Sequence, residues 1–166
     1  MTNSVGYVKE HEFTQVGLYQ PSNTSMTDIA SVSLVFDFLP CDLLTSRRSY
    51  IDLARKGVPG EWVKKIVDKT GLRELFMTIL GVSSGNLSRI YRRKSLSREQ
   101  SEEILDTIRL LHQANTVWES EALASQWLAS PVAALSGEKP INLLDTFEGR
   151  KWVSQVLDHI EQGDFS

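Results

Sequence analysis

The chain has 166 residues, 41% of them apolar, with eighteen Lys and Arg against twenty-one Asp and Glu and a net charge of −3. That length allows one compact domain or two small ones, and that apolar share excludes global disorder. The lone cysteine, Cys41, excludes an internal disulfide framework and a cysteine-built zinc site, and no apolar run approaches the ~18 residues of a membrane span. The opening MTNSVGYVKEHEF has no cationic segment followed by an apolar run, so no secretory signal is read there and the expected location is the cytoplasm.

The net charge averages three unlike regions. Residues 1–46 carry one Lys against five acids, residues 47–94 twelve basic residues against four acids, and residues 95–166 five basic residues against twelve acids. A basic middle between acidic flanks suggests a polyanion-binding segment joined to a part with another task. The competing account is that the basic and acidic parts neutralise each other in the fold.

In chain order, residues 1–46 form an N-terminal segment of unclear role. It is rich in Ser, Thr, Asn and Gln up to Thr27, then largely apolar from Ile29 to Leu44, a stretch that contains Pro40, readable as a short helix or strand. Strand signal is scarce beyond it, so the expected class is all-α. In VPGEWVKKIVDKTG, Pro59 suits a first helical turn, Trp62, Val63 and Ile66 make an apolar side, and Gly71 is a C-terminal cap. Leu72, Leu75, Phe76, Ile79 and Leu80 recur at i, i+3, i+4, i+7 and i+8, the stripe of a buried helix. Gly81 breaks it, Val82 plugs the turn, and Ser83 or Ser84 caps the next helix, whose inward pair is Leu87 and Ile90 with Tyr91 at the edge.

Two short helices around a glycine turn are the helix-turn-helix pattern. At 100° per residue, Gly85, Arg89, Arg92 and Arg93 share the outward face of the second helix. Ser97 with Gln100 matches a capping box that starts a longer helix, with Ile104, Leu105, Ile108 and Leu111 inward, running on to Trp118. Its Glu102, Glu103 and Asp106 read as a solvated face. SEALASQWLASP is a short helix holding Trp127 and Leu128 and stopped before Pro131. A turn-rich link with a second short helical piece follows. Then EGRKWVSQVLDHIEQG spaces Val153, Val156, Leu157 and Ile160 along one face before Gly163.

The segment Ala122–Gly163 carries Trp127-Leu128, Pro131, Leu135, Gly137, Pro140, Leu143-Leu144-x-Thr146, Gly149 and the Val153/Leu157/Ile160 stripe. In that combination it resembles the C-terminal toxin-binding domain of the Xre/MbcA/ParS antitoxins. Upstream, Arg92-Arg93, Leu96-Ser97 and Ser101 stand where that family joins its helix-turn-helix to this domain, so the resemblance covers about residues 57–166. It implies an antitoxin whose C-terminal domain occludes the active site of a cognate RES-domain toxin that depletes NAD⁺. It further implies a helix-turn-helix on the module's own promoter, within a homodimer or a larger hetero-oligomer with the toxin. At the start of the second helix, Ser84-Gly85-Asn86 departs from the Arg-Thr pair common in relatives, and Gly85 offers no side chain there.

The expected division is 1–46, an Xre-like helix-turn-helix domain over 47–118, and a toxin-binding domain over 119–166. Candidate DNA-contacting residues are Ser84, Asn86, Arg89, Arg92, Arg93 and Lys94, set to meet phosphates and a base edge in the major groove. The bland alternative is that cations gather at a helix C-terminus, which accounts for Arg93 and Lys94 but not for a face shared with Arg89. Arg47, Arg48, Lys64 and Lys65 either add phosphate contacts or only solvate the surface. Candidate toxin-contacting residues are Lys139, Arg150, Lys151, Gly163, Asp164 and Phe165, with Trp127, Leu128 and Leu144 read as core. Phe165 is either an aromatic anchor or part of a frayed tail. His11, His112 and His159 are scattered, and no phosphate loop or nucleophile elbow is present. No enzyme, metal or cofactor is therefore expected. The alternative function is a stand-alone helix-turn-helix regulator whose C-terminal helices dimerise or sense a ligand.

Overall fold

The computed structural model describes residues 38–40 and 42–163, and all regular structure among them is helical. Cys41, His11, Asp164, Phe165 and most of the N-terminal segment lie outside the described residues. The helices are α1 (Arg47–Lys56), α2 (Gly60–Thr70), α3 (Arg73–Ile79), α4 (Ser84–Tyr91), α5 (Arg98–Trp118), α6 (Glu121–Leu128), α7 (Pro140–Leu143) and α8 (Phe147–Gln162), with a 3₁₀ turn at Ala133–Leu135.

The ends follow from side-chain chemistry. The hydroxyl of Ser97 accepts from Gln100 N at 3.2 Å, that of Ser120 from Leu123 N at 3.4 Å, and that of Thr146 from Gly149 N at 3.1 Å. Each satisfies an amide with no partner inside its own helix. Gly71 and Gly163 close α2 and α8 in the left-handed region, at φ of 69° and 70°. α1 has the same logic, with Ser46 capping Ser49 N and Arg55 and Lys56 in the last turn.

Two apolar clusters organise the helices. Ala54, Val63, Ile66, Phe76, Leu87 and Ile90 form the N-terminal core with Ile104, Leu105 and Ile108 of α5. Leu128, Leu135, Leu144, Val153 and Leu157 form the C-terminal core with Leu110, Leu111 and Ala114 of the same helix. Each fully buried Leu or Ile contributes on the order of 1.5–3 kcal/mol, so α5 is the spine of both. Leu72 and Leu75 at the start of α3 also pack on both clusters. The packing of α5 thus changes partner between Ile108 and Leu110, while the expected division after residue 118 falls at its C-terminal end.

Two glycines set how closely elements approach. Gly60 N donates to Arg93 O at 3.0 Å, and a Cβ there would stand 1.9 Å from Ile90 O. At Gly149 a Cβ would stand 1.9 Å from Leu143 O. No real side chain fits either gap, so α2 meets the end of α4, and α8 meets the end of α7, backbone to side-chain-free backbone.

Candidate functional site

The helix pair α3–α4 turns through Leu80–Ser83. Gly81 N donates to Thr78 O at 3.1 Å and Val82 N to Met77 O at 3.0 Å, while half-buried Val82 packs on the N-terminal core. Ser83 is the residue that caps α4, through its backbone: its carbonyl accepts from Asn86 N at 2.9 Å. Ser84 has another partner. Arg73 Nη2 donates to Ser84 O at 3.3 Å and to Ser84 Oγ at 3.1 Å, tying the first turn of α3 to the first turn of α4. Sequence reasoning passed over Arg73, because nothing in its own neighbourhood marks a partner eleven residues away.

Leu87 and Ile90 are buried and Tyr91 is half-buried, while Gly85, Asn86, Ser88 and Arg89 are exposed. The basic residues therefore do lie outward. They do not all lie on the helix: α4 ends at Tyr91, Arg92 is its C-cap, and Arg93 and Lys94 belong to the following loop. The 100° projection applies to Arg89 and to Arg92, whose Nε folds back on Ser88 O at 3.2 Å. Arg93 is placed by backbone bonds, its N donating to Ile90 O and its O accepting from Gly60 N, both at 3.0 Å. Its Nη1 reaches Gln100 Oε1 at 3.5 Å. Arg89 and Lys94 have no hydrogen bond or ion pair among the described residues. The result is a short exposed strip of guanidinium and ammonium donors, most of them unspent, at the end of a helix pinned by Gly60.

The flanking cations behave otherwise. Arg48 pairs with Asp52 at 2.8 Å, Lys64 with Asp68, and Lys65 with Glu61 at 2.9 Å, each one helical turn apart and exposed. Pairs of that kind contribute little to stability and spend the charge locally. Arg47 lines a cavity of about 390 Å³ with Arg109, His112, Thr116 and Glu161. Burial pushes His112 below its ordinary value. No group of three or more His, Cys, Asp or Glu among the described residues is placed to hold a metal. No helix of the described residues is long and apolar enough to cross a membrane.

In the C-terminal unit, Lys139 is exposed as the residue before α7, Lys151 is exposed and 3.9 Å from Glu148, and Gly163 is exposed at the end of α8. Arg150 differs from the expectation of a partner contact. It is 5% exposed, with Nε on Asp106 Oδ2 at 3.0 Å and Nη1 on Leu144 O at 2.9 Å. One guanidinium thus joins α8, α5 and the end of α7, which takes it out of reach of a partner. A few residues along α5, Arg109 stacks 4.1 Å from the Tyr50 ring centroid and donates from Nη2 to Leu43 O at 3.2 Å. Tyr50 Oη in turn donates to Glu102 O at 3.1 Å.

Leu128 and Leu144 are core as expected, and Trp127 is half-buried against Trp118 at 6.2 Å between centroids. Sequence reasoning missed Phe147 at 64% exposure in the first turn of α8, Leu123 at 46% on α6, and the exposure of Trp152 at 39%. The signal was present: Phe147 and Trp152 both fall off the Val153, Leu157 and Ile160 stripe when α8 is projected.

Residues 113–163, from the second half of α5 to the end of α8, match the family model described as the antitoxin Xre/MbcA/ParS C-terminal toxin-binding domain. A protein of Sphingobium sp. (strain YBL2), named a Prs ADP-ribosylating antitoxin, is 28% identical over 127 residues, covering 70% of this chain and 80% of its own length.

Proposed function

We propose that the chain, which belongs to the Xre/MbcA/ParS antitoxin family through residues 113–163, neutralises a cognate RES-domain toxin that consumes NAD⁺. The C-terminal unit lies over the toxin's active-site cleft and keeps the dinucleotide out, so the chain acts by occlusion and adds no catalytic step of its own. The name of the Sphingobium relative carries ADP-ribosylation, a reaction that consumes NAD⁺. ADP-ribosylation takes ADP-ribose from NAD⁺ and frees nicotinamide, so the toxin's acceptor is water or a protein side chain, with NAD⁺ consumed either way. The acidity of residues 95–166 complements a cleft that must carry cations to hold a pyrophosphate. Lys139, Lys151 and Gly163, with Asp164 and Phe165 beyond it in the sequence, are the proposed contacts, with Phe147 added.

The second part of the reading is promoter binding. α4 enters the major groove with Asn86 and Arg89 toward base edges. Arg92, Arg93 and Lys94 meet phosphates, in a homodimer or in a larger complex with the toxin. Residues 47–118 form the DNA-binding domain and residues 119–166 the toxin-binding one. The observation that carries the whole is that the matched toxin-binding segment is built on the helix, α5, whose other half supports the basic α3–α4 pair.

The test is co-expression with the toxin encoded beside the gene. The full chain should rescue growth and cellular NAD⁺, and a chain ending at residue 118 should rescue neither. Rescue by the shortened chain overturns the assignment. Toxin that leaves NAD⁺ untouched overturns the NAD⁺ reading, and labelled ADP-ribose on protein separates transfer from hydrolysis. A chain that footprints its promoter but never captures a toxin would be a stand-alone regulator.

A further inference from the structure

Between α3 and α7 runs a groove of about 680 Å³ that belongs to neither helical unit alone. One wall is Gly71–Leu75 with Thr78, and the other is Ile141, Asn142 and Asp145. Its apolar lining is half-buried: Leu72, Leu75 and Ile141. Leu72 and Leu75 are the same side chains that pack on both cores. Two exposed carboxylates, Glu74 and Asp145, line it from the two walls, and neither has a hydrogen bond or ion pair among the described residues. The cation lining the groove, Arg73, spends Nη2 on Ser84. An apolar strip between unpaired carboxylates fits a segment that alternates apolar and cationic side chains, and it repels a polyanion such as DNA.

We propose that this groove seats a basic segment of the toxin, with a Lys or Arg of the toxin between Glu74 and Asp145 and an apolar side chain over Leu72, Leu75 and Ile141. The inference rests on the toxin-binding reading above and names its surface. The α7 wall lies inside the matched segment 113–163. The exposed Phe147 follows Asp145 by two residues, at the start of α8. A toxin seated there also touches α3, whose Arg73 holds the first turn of α4. Sequence reasoning placed toxin contact only on residues 139–165, and this groove carries it onto the basic helix pair as well.

The experiment uses the full chain and its purified toxin, titrated at two salt concentrations. Glu74→Gln and Asp145→Asn should each weaken binding about fivefold or more, the double variant further, and the salt dependence should become shallower. Thermal stability should stay close to that of the wild type, because neither carboxylate has a hydrogen bond or ion pair among the described residues, and Glu74→Lys should abolish capture in the same soluble chain. Wild-type affinity in the double variant overturns the groove and leaves the toxin-binding reading standing. A wild-type chain that fails to bind the toxin takes both down. Variants that bind toxin normally but lose a homodimer assign the groove to a second copy of the chain and overturn the proposal.

Discussion

Replacing Gly149 by alanine adds one methyl group where there is no room for it. The Cβ would stand 1.9 Å from Leu143 O, 2.7 Å from Thr146 Oγ1 and 2.8 Å from the Leu143 carbonyl carbon. Two of these are backbone atoms, so no rotamer change clears them, and α7 must withdraw from α8 by roughly 1 Å to reach the closest contact a real side chain tolerates. Thr146 Oγ1 is also the cap of α8, accepting from Gly149 N at 3.1 Å. Losing that bond costs about 1 kcal/mol, and the overpacking adds roughly 1–3 kcal/mol. Together they should lower the melting temperature by roughly 5–15 °C for a chain of this size. Circular dichroism on heating reads this directly, and toxin capture should weaken in parallel because α7 is displaced. Gly85→Ala is the control. Nothing lies within 4 Å of its Cβ, so alanine should leave the melting temperature unchanged or raise it slightly through helix propensity. A Gly149→Ala chain melting within about 1 °C of wild type would refute the claim that close approach, rather than history, keeps a glycine there.

Arg150→Ala should cost about 1–3 kcal/mol, since it strands the buried Leu144 O, while the half-exposed Asp106 that loses its counter-charge is still reached by water; chemical denaturation checks it, and no measurable loss would contradict the burial. Burial, and then the Asp106 carboxylate, push Tyr50 from 10.0 up to about 12, so the folded chain holds that phenol proton more tightly than the unfolded one. Its stabilisation is complete below pH 10 and lost as pH rises toward 12, and a urea midpoint that falls across that window, less steeply in Tyr50→Phe, is the expected record. In gel shifts across salt, Lys94→Ala should weaken promoter and random DNA alike and reduce the salt slope by about one, whereas Arg89→Ala should weaken the promoter more and narrow its advantage over random sequence. Equal effects of the two variants on both DNAs would remove the assignment of roles.

What the sequence made legible was whatever is encoded within one or two turns. The stripe of Leu72, Leu75, Phe76, Ile79 and Leu80 announced a buried helix, and Ser97 with Gln100 announced the start of α5, because both signals depend only on helical period and cap chemistry. The family match at 113–163 agrees with a resemblance carried by spaced Trp, Pro, Gly and Leu residues. What escaped was set by distant partners. Arg150 looked like a surface cation because its counter-charge, Asp106, sits 44 residues earlier. The end of α4 at Tyr91 has no glycine or proline to mark it. It is imposed by Gly60 N taking Arg93 O, a bond between segments 33 residues apart. α1 was missed because Tyr50, Leu53 and Ala54 are a thin apolar face between two pairs of cations.

That tertiary ending of α4 bears on the proposed promoter binding, and on whether the arginines there would read a sequence or only hold phosphates. Base readout needs side chains on the first turns of the inserted helix, where the groove is deepest. Here Ser84 Oγ is engaged by Arg73, Gly85 has no side chain, and Leu87 and Ile90 are buried. Asn86 and Arg89 are left as the long polar side chains on the helix itself that point out. Each is capable of a bidentate contact, Asn to adenine and Arg to guanine, at about 1–3 kcal/mol of discrimination apiece. Arg93 and Lys94 sit in a loop whose backbone is fixed by Gly60, so their charge is well placed and their geometry suits phosphate oxygens. In the proposed DNA complex, one copy of the chain would therefore bring a small reading capacity on a large electrostatic footing. Under that proposal, useful promoter specificity would require two copies on adjacent half-sites, where the discrimination of each Asn86–Arg89 pair multiplies.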